Sequence, residues 1–240
     1  MFANSMGAQS YNARTNRRND MRIKQPEAFF TLTIALLLCT GAARAEIAAS
    51  AEETNPLTAG GEAPAFTARN ADGSDFVFDP SALERPALLI FYRGGWCPYC
   101  NSHLAELRHV VPELEERGMD VYFLSADSPA NLSSALKGEA EGLDYTLLSD
   151  ARLGAAEAFG LAFRMSDDYY QRAKDYGLDL EEASGETHHA LPVPAVYVID
   201  TNGVVRFAHS EPDYTQRLGN DELRAAVDNL LEGRSGAGDA

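Results

Sequence analysis

Apolar and polar positions along this chain follow two rhythms. Short runs at residues 75–78, 87–92, 120–125 and 145–148 read as strands, the second of them (Ala87-Leu88-Leu89-Ile90-Phe91-Tyr92) apolar throughout and so expected to be buried on both faces. Between them, Leu104, Leu107, Val111 and Leu114 recur at helical spacing, which predicts a helix over 98–117; further helices are expected over 129–141, 152–159 and 220–231. Two more strands, 195–199 and 204–208, flank Asp200-Thr201-Asn202-Gly203, a hairpin turn with Asn-Gly at its tip. Strands alternating with helices in this order predict an α/β fold. No internal repeat of solenoid length interrupts it.

The ends differ from this body. Residues 1–45 carry Arg14, Arg17, Arg18, Arg22, Lys24 and Arg44 against Asp20 and Glu27, followed by the apolar run Phe29 to Cys39 and then Ala43-Arg44-Ala45. That layout predicts a secretory signal cleaved before Glu46, and hence an exported protein, periplasmic or secreted. The apolar run is about half of the ~20 residues a spanning helix needs, so no stable membrane anchor is expected. Residues 46–60 show little periodicity and read as a flexible lead-in, 61–232 as the folded domain, and 233–240 as a frayed tail.

Composition narrows the function. With 45% hydrophobic and 23% charged residues the chain is globular rather than disordered. Its formal net charge of -16 excludes a nucleic-acid binder, which needs clustered Lys and Arg. Three cysteines are too few for a disulfide scaffold, so a closely spaced pair points to chemistry. No nucleotide loop, serine elbow or paired-carboxylate site is apparent, and no cofactor is expected.

The chemistry concentrates in Arg93-Gly94-Gly95-Trp96-Cys97-Pro98-Tyr99-Cys100, directly after the most apolar strand. Pro98 suits the first helical position, where its missing N–H costs nothing, and this puts Cys97 near the N-cap and both sulfurs in the first turn. Free N–H groups and the positive helix end favour a thiolate there, and a Cys-x-x-Cys pair lowers a thiol pKa from about 8.5 to as little as ~3.5. Two sulfurs at this spacing can also close a disulfide. A static disulfide is a competing reading. So is a metal site for copper or zinc completed by His103, or by His188 and His189 from further along the chain. Pro194, in Leu191-Pro192-Val193-Pro194-Ala195, leads straight into an apolar strand; the Val193-Pro194 bond is expected to be cis.

These residues resemble the peroxiredoxin family, the alkyl hydroperoxide reductase and thiol-specific antioxidant group, with a thioredoxin-like fold. Gly61-Glu62-Ala63-Pro64-Ala65-Phe66 with Asp72-Gly73 is similar to the family's opening segment. Ser149-Asp150 followed by Ala158-Phe159-Gly160 is similar to its mid-chain stretch, and Phe91-Tyr92 and Ile199-Asp200 follow in the family's order. The resemblance implies a central mixed β-sheet flanked by helices. The active-site loop departs from the family: Arg93 stands where a proline is usual, Cys97 where a threonine is usual, and Cys100 matches the peroxidatic cysteine. Pro194 stands where many members carry an arginine, as in a thioredoxin. Alignment to peroxiredoxins thus favours Cys100 as the attacking sulfur, and the thioredoxin-type pair favours Cys97.

The resemblance implies a thiol peroxidase. A thiolate attacks a hydroperoxide, a sulfenic acid forms, the second cysteine condenses it into a disulfide, and a thioredoxin-like protein restores the dithiol. Cys97, Cys100 and Arg93 are the expected catalytic residues, with Arg93 supplying a guanidinium near the thiolate; Trp96, Tyr99, Val193 and Pro194 are the expected substrate contacts. Two other functions stay open: an exported protein thiol-disulfide oxidoreductase, and a copper-binding thioredoxin-fold protein using His188 or His189. Residues 167–186 form an acidic insertion with Tyr169, Tyr170 and Tyr176, read as a solvated surface helix, with a lid or subunit contact as the alternative.

Overall fold

The computed structural model describes residues 47–136 and 146–233. The signal segment and its cleavage site, residues 137–141 of the helix expected over 129–141, and the tail beyond residue 233 lie outside the described residues.

A seven-stranded mixed sheet forms the centre, flanked on both faces by helices. Its strands are β1 (Phe66–Asn70), β2 (Asp75–Phe78), β3 (Ala87–Tyr92), β4 (Asp120–Ser125), β5 (Thr146–Ser149), β8 (Ala195–Ile199) and β9 (Val205–Ser210), arranged β2-β1-β5-β4-β3-β8-β9. β3, β4 and β5 run parallel, β8 lies antiparallel beside β3, and β9 lies antiparallel beside β8. Two short strands, β6 (Ala162–Arg164) and β7 (Ala190–Pro192), pair with each other apart from the sheet.

β3 is the axis of the core because its side chains alternate between two apolar layers. Leu89 and Phe91 join Phe66, Phe159 and Tyr197 on one face; Leu88 and Ile90 join Leu107, Leu114, Val198 and Val227 on the other. The second layer is roofed by α1 (Pro98–Leu107), α2 (Val111–Glu116) and α7 (Asn220–Leu231), with α3 (Pro129–Leu136) contributing Leu132. The first is closed by α4 (Gly154–Ala158) and by two helices of the acidic insertion, α5 (Asp167–Asp175) and α6 (Leu180–Ser184).

The structure corrects three sequence expectations. The helix expected over 98–117 is two helices, because Pro112 has no N–H for the Arg108 carbonyl; the chain tightens over residues 108–110 and restarts with Leu114 N–H on Val110 O at 3.1 Å. The segment read as a flexible lead-in is tied down from residue 48 onward. Ala48 N–H donates to Ala162 O at 3.0 Å, its carbonyl accepts from Arg164 N–H at 2.8 Å, and Leu57 N–H reaches Phe159 O at 2.9 Å. Its apolar residues Ile47, Ala51 and Leu57 pack on the core at spacings too irregular to show a period. Gly160 permits this approach, since a Cβ there would sit 2.1 Å from Asn55 O. The acidic insertion is helical, as expected, yet it buries Tyr170, Ala173 and Leu180 and is no purely solvated face. The hairpin turn forms as read, with Asp200 accepting the N–H groups of Asn202 and Val204 at 2.9 Å each.

Asp150 joins sheet to helix. Its carboxylate accepts the N–H groups of Ala155 and Ala156 at 2.9 and 2.8 Å, and its own N–H donates to Ser125 O at 2.7 Å. Asp150→Ala leaves those two donors unsatisfied, and urea denaturation is expected to show a loss of about 2–4 kcal/mol, with Asp150→Asn recovering part of it.

Candidate active site

The site lies at the carboxyl ends of the parallel strands β3 and β4, where open α/β sheets place their ligands. β3 ends at Tyr92, and Arg93 to Trp96 turn the chain into α1. Asp127, just beyond β4, holds this turn: its Oδ2 accepts Gly95 N–H at 2.7 Å and the Ser125 hydroxyl at 3.1 Å, and Asn101 Nδ2 donates to Gly95 O at 2.8 Å. Gly94 must lack a side chain, since a Cβ would lie 2.3 Å from Trp96 Nε1 and 2.8 Å from Asp127 Oδ1. Burial pushes the Asp127 carboxyl up to about 6, against its hydrogen bonds from Gly95 and Ser125.

Cys97 occupies the N-cap of α1 with Pro98 next, as the sequence implies, and its N–H donates to Gly94 O at 3.1 Å. Cys97 and Cys100 are both unpaired thiols, each 1% exposed. The Cys97 thiol is pulled down to about 6, first by a hydrogen bond from the Cys100 thiol and, against burial, by the Cys100 backbone N–H and the charges of Arg93 and Arg217. Cys100 moves the other way, because it spends its proton on Cys97 and is buried. The hydrogen bond between the two sulfurs thus favours a single negative charge for the pair, with Cys97 drawn downward.

Arg93 is buried at 3% exposure. Its guanidinium lies 4.1 Å from the Tyr214 ring centre, 5.2 Å from that of Trp96 and 5.6 Å from that of Tyr169, and Nη2 donates to the Tyr169 hydroxyl at 3.1 Å. Its Nε has no hydrogen-bond partner. Beside it opens a cavity of about 300 Å³ walled by Arg93, Tyr169, Tyr214, Pro194, Phe163 and Met165.

The expected substrate contacts are thus divided. Pro194 lines this cavity. Trp96 stacks under Arg93 and also lines a small recess with Leu180 and Ala183. Tyr99 is 47% exposed, its ring edge-on to Tyr214 at 5.8 Å. Val193 is fully buried and gives its N–H to Leu161 O at 2.9 Å, so it braces Pro194 from behind.

Three further residues enter from distant segments. Tyr169 comes from the acidic insertion, Tyr214 from the loop before α7, and Arg217 from the same loop, with Nη2 3.3 Å from Cys100 Sγ. Three tyrosines had drawn attention to the insertion, but nothing in the sequence marks Arg217, which is 117 positions from its sulfur.

The histidines of the copper reading are engaged elsewhere. His188 accepts Ala190 N–H at Nδ1 and so donates from Nε2 to Ala151 O at 2.7 Å; His189 bonds Glu181 at 2.7 Å and stacks on Tyr170. Among the described residues no group of three or more His, Cys, Asp or Glu is arranged to hold a metal ion. His103 is buried, and its pKa is lowered to about 4, by burial first and then by Arg217.

Thiolate absorbance at 240 nm of the reduced protein is expected to rise with pH through a midpoint near 6 and to lose that step in Cys97→Ser. Cys100→Ala removes the main donor and should move the midpoint upward, towards the free-cysteine value of about 8.5.

The sequence profile of the AhpC/TSA family matches residues 59–208. The chain is 36% identical to peroxiredoxin Bcp of Escherichia coli (strain K12) over 107 residues, 45% of this chain and 67% of that protein. It is 28% identical to the chloroplastic peroxiredoxin Q of Suaeda salsa over 154 residues, 64% of this chain and 60% of that one. Among solved structures, peroxidoxin BcpB from Mycobacterium tuberculosis superposes with a TM-score of 0.55 at 20% identity, covering 75% of this chain and 99% of that chain. A match over more than half the chain, built around a buried thiol pair on a thioredoxin-like sheet, shows that this protein belongs to the AhpC/TSA family of peroxiredoxins.

Proposed function

We propose that the protein is a thiol peroxidase in which Cys97 is the attacking thiolate, reducing hydrogen peroxide or organic hydroperoxides. Cys97 Sγ attacks the terminal peroxide oxygen, the O–O bond breaks, and the electron pair leaves on the second oxygen, which is protonated to water or alcohol. Cys97 becomes a sulfenic acid. The Cys100 sulfur then displaces that hydroxyl as water, closing a Cys97–Cys100 disulfide, and a thioredoxin-like dithiol returns two electrons.

The observation that carries this reading is a pair of buried free thiols at the start of α1, with the Cys97 thiol drawn downward by its donors, beside a buried guanidinium that lines a cavity. Family alignment sets Cys100 at the attacking position, but charge favours Cys97, because Cys100 keeps its proton by giving it in a hydrogen bond. Arg93 has no carboxylate to neutralise it among the described residues, so its charge is free for the oxygen that departs. The basic and apolar amino-terminal segment supports export to a compartment where such pairs cycle by thiol exchange.

Exchange with protein disulfides is the second reading, favoured by the Cys-x-x-Cys at a helix start. The cavity beside Arg93 favours a small oxidising substrate over a protein disulfide. Insulin reduction faster than peroxide consumption would reverse this order.

With hydrogen peroxide and the reduced protein, Cys97→Ser is expected to abolish consumption, and Cys100→Ser to stop after one equivalent with a sulfenic acid that dimedone traps. The opposite pattern would give the attack to Cys100. Arg93→Met should lower kcat/KM for peroxide about 100-fold by removing one charge-stabilising donor, as stopped-flow kinetics will report.

A further inference from the structure

Recycling the disulfide places a charge where the oxidative step does not. When a reducing thiolate attacks Cys97 Sγ, a new S–S bond forms there, the Cys97–Cys100 bond breaks, and the electron pair stays on Cys100 Sγ. The reductant's second thiol later completes its own disulfide and frees Cys97. Cys100 is 1% exposed, so its charge emerges without water.

The groups facing Cys100 give it little relief. Cys97, Asp127 and Tyr92 carry no positive charge, and His103, one turn along α1, is neutral above about pH 4 because of its burial. Two donors point at the sulfur: the backbone N–H of Arg93 and the guanidinium of Arg217, whose Nη2 lies 3.3 Å from Sγ. Arg217 is held by its Nη1 on the carbonyls of Tyr214 and Gln216, its Nε is buried without a partner, and among the described residues it has no carboxylate in ion-pairing range. Its charge feels Asp213 only at a distance beyond ion pairing and is already in place beside the sulfur, so no reorganisation is needed when the disulfide opens.

We infer that Arg217 is a catalytic residue of the reductive half-reaction, its guanidinium receiving the charge on Cys100 Sγ as the disulfide opens, while Arg93 serves Cys97 and the hydroperoxide. The assignment rests on Cys97 being the sulfur attacked in both directions. It gives Arg217, a lesser influence on Cys97 than Arg93, its main part in the reductive half-reaction, and the guanidinium stays protonated throughout.

The two half-reactions are separable in the full chain by stopped-flow fluorescence of Trp96, the single tryptophan, first with one equivalent of hydrogen peroxide and then with dithiothreitol. Arg217→Met is expected to slow disulfide reduction about tenfold or more while slowing oxidation less than about threefold, with Arg93→Met giving the reverse. Arg217→Lys, which keeps the charge, should recover part of the reduction rate, and circular dichroism checks that each variant is folded. In a Cys97→Ser background, adding Arg217→Met should raise the Cys100 thiolate midpoint by about one unit or more. Equal slowing of both half-reactions, or an unchanged reduction rate, overturns the role of Arg217 while leaving the peroxidase reading intact. If Cys97→Ser still forms a sulfenic acid on Cys100 and Arg217→Met slows that step, the reading of Cys97 falls and this inference falls with it.

Discussion

A sulfur that must be negative yet cannot touch water depends wholly on the donors around it, and this site is built to supply them. Cys97 and Cys100 are sealed under Trp96, Arg93 and the loop before α7. In place of solvent, Cys97 has the thiol and backbone N–H of Cys100, with Arg93 and Arg217 nearby. Losing one donor is costly because the low-dielectric surroundings that strengthen each hydrogen bond also penalise an unmet charge. The same enclosure explains why one proton suffices for two sulfurs: a second thiolate within contact of the first would meet both desolvation and repulsion.

The rest of the fold maintains that enclosure. Parallel pairing of β3 with β4 sets Arg93 and Asp127 side by side at the strand ends, and the Gly95 N–H to Asp127 bond converts that register into a loop conformation. Ser149 ties the next strand to the same point through its hydroxyl on Asp127 O at 2.6 Å. On the opposite side the insertion, through Tyr169, and the loop before α7, through Tyr214, meet across the face of the Arg93 guanidinium. A cation enclosed by aromatic rings gives up water for ring faces and keeps its charge, which suits a group waiting for an anionic leaving oxygen.

Local signals carried much of the architecture. β2, β3, β4, β8 and α7 begin and end where their patterns do, since each has a clear period or an apolar run bounded by turn residues. β1 escaped notice because only Phe66 and the small Ala68 mark its inward positions, with Thr67 and Arg69 outward, so it lacks the apolar content that marks the other strands. β6 and β7 are three residues each, too short for any periodicity to register. The break in the long helix turned on a single missing N–H at Pro112. The lead-in looked free because it is held by backbone hydrogen bonds to β6 and Phe159, which leave no mark on side-chain pattern, and by apolar contacts too irregularly spaced to show a period.

By itself, the sequence determined that two thiols share the first turn of a helix behind a buried strand, because Pro98 and the apolar run fix that geometry locally. It also determined Arg93 as the nearest cation. Only the tertiary structure decided what surrounds the two sulfurs and which charges bear on each. That arrangement depends on Arg217, Tyr169, Tyr214 and Asp127, which come from separate loops and helices and meet the cysteines only when the sheet has formed. Electrostatic preference inside a protein is a sum over neighbours in space, and chain order does not record who those neighbours are.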